Sequence, residues 1–426
     1  MRVRLIAVVA VLSLVALACS NSSDKASSTS TSGGGTSGGT TVNQPGVTKD
    51  TIRVGGVVSK TNALNGPYAS AFDGVKAYFN MVNSKGGIYN RKLELVSERD
   101  DLMAQNQQEV EALLAQDNVF AVAPIATIFL FSGAQTLADQ NIPTFGWNIN
   151  TEYTGHPTLF GSNYGALCLG CVGSVQPFVA KQLGRKKIGV LAYNQATSAQ
   201  CADGIEKSFK KYPTADVVFL TKSLNFGDTD FSVEVGQMKD KGVDFVLTCI
   251  DNTGALNLGK EMRKQNLKAI QYLPNGYDAG LVAANAEFFQ GDIVGVPFVP
   301  FQYKPKPPGM VAFDQWMDKA GYAKNEISIN GWISAAMLYQ GLQGAGPNFT
   351  RQKVVNALNK MTAQTIDGLI PPRNWTKEHE ITHNTVCTAY VKVDNGKFVP
   401  TFTQPGKPFM CLPDQPATLP AQATFR

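Results

Sequence analysis

The chain has 426 residues, 43% of them hydrophobic and 17% charged, with a formal net charge of +5. That length suits two ordinary domains with real cores. Arg2 and Arg4 carry two of the five charges, leaving +3 on the rest. The one basic cluster, Arg185-Lys186-Lys187, precedes a strand-like run and suits a solvated turn, so nucleic acid is not an expected partner.

The N-terminus reads as an export signal. Arg2 and Arg4 precede an apolar run over 5–17 that ends in small residues before Cys19. A spanning helix needs ~20 apolar residues, so this shorter run suits a cleaved signal peptide over 1–18. Val15-Ala16-Leu17-Ala18-Cys19 resembles the bacterial lipobox, with Ala16 where leucine is usual; the resemblance implies a lipid on Cys19 as the first residue of the processed chain. The alternative is an ordinary signal cut near Ala18 and a protein without an anchor. Residues 19–47 are mostly Ser, Thr, Gly and Asn, a composition that cannot bury a core and behaves as a flexible tether of ~30 Å reach. No later apolar run is long enough to cross a bilayer.

With Cys19 set aside, six cysteines remain, an even number that suggests three disulfides in an exported chain. Cys387 and Cys411 are the two in the C-terminal tail and are expected to pair. Cys168, Cys171, Cys201 and Cys249 can pair in three ways, and spacing does not choose among them. Cys168-Leu-Gly-Cys171 also has the spacing of half a zinc site or a redox pair, but no second such pair accompanies it.

From residue 48 onward, strands and helices alternate. Expected strands at 51–58, 92–96, 120–123 and 142–145 are interleaved with helices at 68–84, 105–116 and 132–140. A second set places strands at 188–192, 216–220, 244–249 and 269–273 among helices at 202–212, 231–241 and 254–265. Nearly continuous apolar strands between amphipathic helices indicate parallel sheets covered on both faces, and two such sets indicate two lobes. Beyond Gly295 the pattern changes to helices at 310–320, 329–344 and 351–360. A hairpin over 386–402 then turns at Asn395-Gly396.

The ordered set Asn65-Gly-Pro67, Asp73-Gly-Val75, Val82-Asn-Ser-Lys-Gly-Gly-Ile88, Lys92-Leu-Glu-Leu-Val96 and Asp100-Asp101 resembles the opening of the leucine/isoleucine/valine-binding type I periplasmic receptors. Ala138-Asp-Gln-Asn-Ile-Pro143, Lys187-Ile-Gly-Val-Leu191, Gly242-Val-Asp-Phe-Val246 and Asn374-Trp375 continue it in order. The resemblance implies an α/β fold of two doubly wound parallel-sheet lobes joined by a three-strand hinge, with crossings near Gly295 and Trp375. It implies lobes at 48–164 plus 297–374 and 165–296 plus 375–426, closing on ligand. It also implies the receptor of an ABC importer, monomeric and without a cofactor, on the outer face of the membrane. That receptor hands an amino acid or related amide or carboxylate to a permease. A ligand-sensing subunit of a signalling system is the alternative, which would need a separate signalling protein.

Ligands of open parallel sheets sit beyond the carboxyl ends of the strands. The loops expected there offer Tyr68, Thr127, Trp147, Asn148 and Asn150 in the first lobe. In the second they offer Gln200, within the expected loop 193–200, and Asp251, Asn252, Tyr277 and Asp278. By resemblance, Thr127 and Asn150 align with groups that hold a ligand carboxylate. Gly276 stands where the family's ammonium-binding carboxylate would be, leaving Asp278 or Asp251 to substitute. Cys201 aligns where the family often has an aromatic, so a disulfide is expected to border the pocket. Trp147 and Tyr277 suit lobe packing as well as binding, Asp251 suits the cap of the helix near Gly254, and Asp100-Asp101 suit a strand end or a cap.

His379-Glu-Ile-Thr-His383 spells the H-E-x-x-H pattern of zinc hydrolases. Its context argues against that chemistry. It follows Pro371-Pro372, runs into a β-branched strand, and has no His or Glu after it to serve as third ligand. Ser22–Lys25 and Ser208–Lys211 match S-x-x-K without that class's companion motifs. No catalytic residue and no metal ligand is therefore assigned.

Overall fold

A computed structural model describes residues 42–163, 165–273, 276–381 and 385–426; the expected signal peptide, Cys19 and residues 19–41 of the tether lie outside them. The β-branched run that starts the folded body forms β1 (Thr51–Val58), followed by α1 (Ser70–Ser84). The alternation continues through β2 (Lys92–Asp100), α2 (Asn106–Gln116), β3 (Ala121–Ala126), α3 (Ala134–Asp139), β4 (Thr144–Gly146) and β5 (Leu159–Gly161). Among the described residues these strands pair in parallel in the order β2-β1-β3-β4-β5. The wholly apolar β3 is buried at every position, as a central strand covered on both faces must be.

A second cycle runs through α4 (Val175–Gln182), β6 (Lys187–Tyr193), α5 (Ala196–Lys211), β7 (Asp216–Leu224), α6 (Ser232–Asp240) and β8 (Phe245–Cys249). It ends with α7 (Asn252–Lys264), β9 (Ile270–Leu273), α8 (Ala279–Ala284), α9 (Ala286–Phe289) and β10 (Ile293–Val296). Its parallel strands are ordered β7-β6-β8-β9-β10, the same winding as the first sheet.

The chain then returns to the first sheet with α10 (Pro308–Ala320), α11 (Glu326–Ala345) and α12 (Arg351–Asn359). Helix α11 is buried from Glu326 to Leu338 and packs on α1, β3 and β4. A helix covered on all sides reads as apolar all round, which is why periodicity alone does not orient it. Its approach to α1 depends on two glycines. A Cβ at Gly74 would stand 1.8 Å from the Ser328 carbonyl oxygen, and one at Gly331 would stand 1.9 Å from that of Ala71.

The tail adds β11 (Thr385–Asp394), β12 (Lys397–Thr401), β13 (Met410–Pro413) and β14 (Thr424–Phe425), all antiparallel, beside β10. The second sheet is therefore mixed rather than wholly parallel. Its hairpin turns where the sequence indicates, with Asn395 and Gly396 at φ 48° and 72°, the left-handed pair that a two-residue turn requires. Cys387 and Cys411 sit opposite each other in the β11–β13 register and are bonded, an expected gain of ~3 kcal/mol from closing the unfolded loop.

Three segments carry the chain between the sheets: from β5 to α4, from β10 to α10, and from α12 to β11. Arg373, in the third, is buried and donates to the carbonyls of Gly161, Ser162 and Asn163 at the start of the first, at 2.7, 2.6 and 2.6 Å. The first and third crossings are thus tied to each other.

Candidate functional site

Each sheet reverses its strand order once, between β1 and β3 in the first and between β6 and β8 in the second. Loops leaving neighbouring strands diverge at such a point and leave a crevice. A cavity of about 490 Å³ lies there, reached by Tyr68, Ile128, Phe129 and Trp147 from one side and by Tyr193, Phe226, Asp251 and Tyr277 from the other.

The first wall is set by the loop after β1. Asn62 donates to the carbonyls of Ser59 and Gly66 and accepts from the Gly66 N–H, with Asn65 at φ 53° closing the turn. This presents Tyr68 to Trp147, ring centroids 5.6 Å apart. Burial pushes the Tyr68 phenol above its ordinary range, and the nearby carboxylates Asp251 and Glu326 push it the same way. Trp147 is 3% exposed, and its indole N–H has no hydrogen bond of normal geometry.

On the opposite wall Asp251 has two duties. One oxygen caps α7, accepting from the Thr253 and Gly254 N–H groups at 2.7 and 3.2 Å, and the other accepts the Tyr193 hydroxyl. Asp278 caps α8 through the Leu281 N–H at 2.9 Å. Tyr277 is 2% exposed; its hydroxyl donates to Gln302 and accepts from the Phe301 N–H in the second crossing segment, and its ring packs on Phe298 and Phe398. It lines the cavity and packs the crossing at once.

Of the residues expected from sequence, Tyr68, Trp147, Asn148, Asp251, Asn252, Tyr277 and Asp278 border the cavity. Both ends of the Asn148 amide are engaged, donating to the Gly165 carbonyl and accepting from the Asn163 N–H. Thr127 and Asn150 are fully buried behind the lining, where the Thr127 hydroxyl and the Asn150 side-chain oxygen lack partners; the Asn150 amide donates to the Phe129 carbonyl. Gln200 lies on an exposed face of α5, outside the lining. The loop expected over 193–200 is mostly helix because Ser198 accepts from the Tyr193 N–H and donates to the Cys249 carbonyl, stitching the first turn of α5 to β6 and β8. Asp100 and Asp101 hold backbone N–H groups of the loop after β2. Pro274 and Asn275 lie outside the described residues.

Sequence reasoning missed Glu326. It opens α11 behind the capping box of Asn325 and Ser328, borders the cavity, and is 7% exposed. Burial pushes its carboxyl up to about 8, against the pull of the Tyr277 N–H; Asp278 adds to the rise, and the Trp147 indole faces it. The Asn325-x-x-Ser328 spacing marks the helix start, but nothing local says that this start faces the cavity. Among the described residues no lysine or arginine lines the space.

Two disulfides border it. Cys201 and Cys249 tie α5 to β8, and Cys168 and Cys171 close a short loop in the first crossing segment. His379 lies in a turn rather than a helix, hydrogen-bonded to Asn359 at 2.8 Å and packed against Phe160 and Trp375; burial pushes its ring down to about 4. His383 lies outside the described residues.

A family profile described as periplasmic binding protein matches residues 51–397. The chain belongs to that family. A fatty acid ABC transporter substrate-binding protein from Thermomonospora curvata is 21% identical, with a TM-score of 0.71 over 84% of this periplasmic binding protein and 94% of that chain. A solute-binding protein from R. palustris, solved with 4-hydroxybenzoate, is 19% identical at a TM-score of 0.68 over 86% and 98%. A branched-chain amino acid transporter protein from Thermus thermophilus, solved with valine, is 16% identical at 0.68 over 83% and 95%. At these identities the likeness shows the fold, that of the type I receptors the sequence motifs resemble. No curated protein sequence matches the chain.

Proposed function

We propose that this periplasmic binding protein is the solute receptor of an ABC importer, a non-catalytic clamshell that closes on a small molecule and docks on a membrane permease. The observation that carries this reading is the cavity of about 490 Å³ where the two sheets reverse their strand order, beside three crossing segments. The lobes are 48–164 plus 297–374 and 165–296 plus 375–426. Ligand drives closure only by binding the closed form more tightly than the open one. A lipid on Cys19 and the polar tether hold the monomer outside the cell, so Cys19→Ser releases it from the membrane fraction; continued membrane association would argue against the anchor.

The test combines mass spectrometry of whatever co-purifies with a thermal-shift panel of amino acids, amides, amines and organic acids. At least one compound raises the melting temperature with concentration, by the equivalent of about 2.7 kcal/mol at a hundredfold excess over Kd. Tyr68→Ala with Trp147→Ala removes the shift. A panel without response, and no co-purifying compound, would refute the receptor reading.

A further inference from the structure

We propose that the cleft selects a ligand carrying a protonated amine on an apolar, ring-sized body, with the nitrogen seated against Glu326, and that it turns away simple carboxylates. This rests on the receptor reading and names the ligand class of that same cavity.

Four acids border the space, Asp251, Asp278, Glu326 and Asp414, and no lysine or arginine among the described residues faces them there. Asp251 is already committed to α7 and Tyr193, Asp278 to α8, and Asp414 has a partner of its own, whereas the Glu326 carboxyl, near the Tyr277 N–H and the Trp147 indole, caps no helix and pairs with no cation among the described residues. A separate observation points the same way. Asn163 is 6% exposed and borders the cavity, and its side-chain oxygen, itself buried, has no partner. It stands on the Glu326 wall: its neighbour Ser162 donates to Asn330 at 2.7 Å, and Asn330 donates to the Glu326 carbonyl at 2.8 Å.

The remaining walls suit a cation. Tyr68 pairs with Trp147, and Phe226 meets Phe129 and Tyr193 at ring-centroid distances of 4.9 and 5.4 Å. Aromatic faces attract ammonium groups and accept an apolar body equally well. A carboxylate entering the same space would meet four acidic side chains and no compensating positive charge. The Thr127 hydroxyl and the Asn150 amide, which would suit an anion, lie behind the lining.

The test titrates the full chain calorimetrically at pH 8 with 2-phenylethylamine, 2-phenylethanol, 3-phenylpropionate and phenylalanine. The amine binds at least tenfold more tightly than each of the others. Glu326→Gln weakens the amine tenfold or more and leaves phenylethanol unchanged. Asp278→Asn, which keeps a capping side chain, weakens the amine several-fold and guards against a misfolded first variant. Phenylpropionate or phenylalanine bound as tightly as the amine, an amine that does not bind, or an amine indifferent to both substitutions would overturn the assignment. Any of those results leaves the receptor reading standing, since that falls only with an unresponsive panel and no co-purifying compound.

Discussion

Arg373→Met destabilises the protein by about 3–5 kcal/mol, read as a lower denaturation midpoint in urea with an unchanged slope. Arg373 is 4% exposed, and its guanidinium donates to three successive carbonyls, of Gly161, Ser162 and Asn163. Methionine fills much of the volume but donates nothing, and a buried acceptor stripped of its donor costs about 1–3 kcal/mol, more where the donor was charged. Arg373→Lys recovers only part of the loss, because an ammonium lacks the planar fork that reaches neighbouring carbonyls together. The effect extends to binding. Arg373 joins the third crossing segment to the first, and Asn163 at the end of its reach borders the cavity, so the variant also binds the cleft's ligand more weakly. A midpoint equivalent to a loss under about 1 kcal/mol would show that those carbonyls find other donors.

The strand and helix alternation was legible because most elements are long enough to show a period. Residues 51–58 and the Asn395-Gly396 turn needed no tertiary information. Of the elements of three or four residues, β4 (Thr144–Gly146) and β9 (Ile270–Leu273) were legible as apolar runs, whereas β5 (Leu159–Gly161), β10 (Ile293–Val296) and β13 (Met410–Pro413) were not and hold their shape through neighbours in the sheet. The site divided along the same line. Tyr68, Trp147 and Asp251 follow strands whose carboxyl ends could be read in order, and they border the cavity. Thr127 and Asn150 follow such strands too, but one residue's rotation places a side chain under the lining instead of in it, and sequence does not carry that rotation. Glu326 opens a helix that belongs to neither expected strand-and-helix set; its place in the cleft is a product of α11 packing on α1 through Gly74 and Gly331. The H-E-x-x-H spelling failed in the opposite sense, since His379 sits in a turn and hydrogen-bonds to Asn359.

Glu326→Gln makes the protein more stable than the unaltered chain at pH 9, by on the order of 5 kcal/mol, and confers almost no advantage at pH 4.5. The carboxyl's ordinary value is 4.5, and in the fold it is pushed up to about 8, first by burial and then by Asp278, with the Tyr277 N–H and the Trp147 indole pulling the other way. Below pH 4.5 the group is protonated whether the chain is folded or unfolded, and the full stability is present. Between 4.5 and 8 the unfolded chain releases the proton while the folded one holds it, so stability falls by about 1.4 kcal/mol per pH unit and levels off above 8. Glutamine has no proton to lose and escapes this slope. Urea denaturation of both chains at pH 4.5, 7 and 9 therefore shows a gap that widens with pH; a constant gap would mean that the carboxylate is hydrated in the folded state. The same titration bears on binding. At pH 7 the empty cleft holds Glu326 mostly neutral, and an ammonium arriving beside it favours the charged form, so binding of 2-phenylethylamine releases a proton and tightens as the pH rises from 6 to 8. Calorimetric heats that differ between buffers of different ionisation enthalpy measure that proton. The buffer dependence is present in the unaltered chain and lost in Glu326→Gln; heats that follow the buffer equally in both would place the released proton on another group.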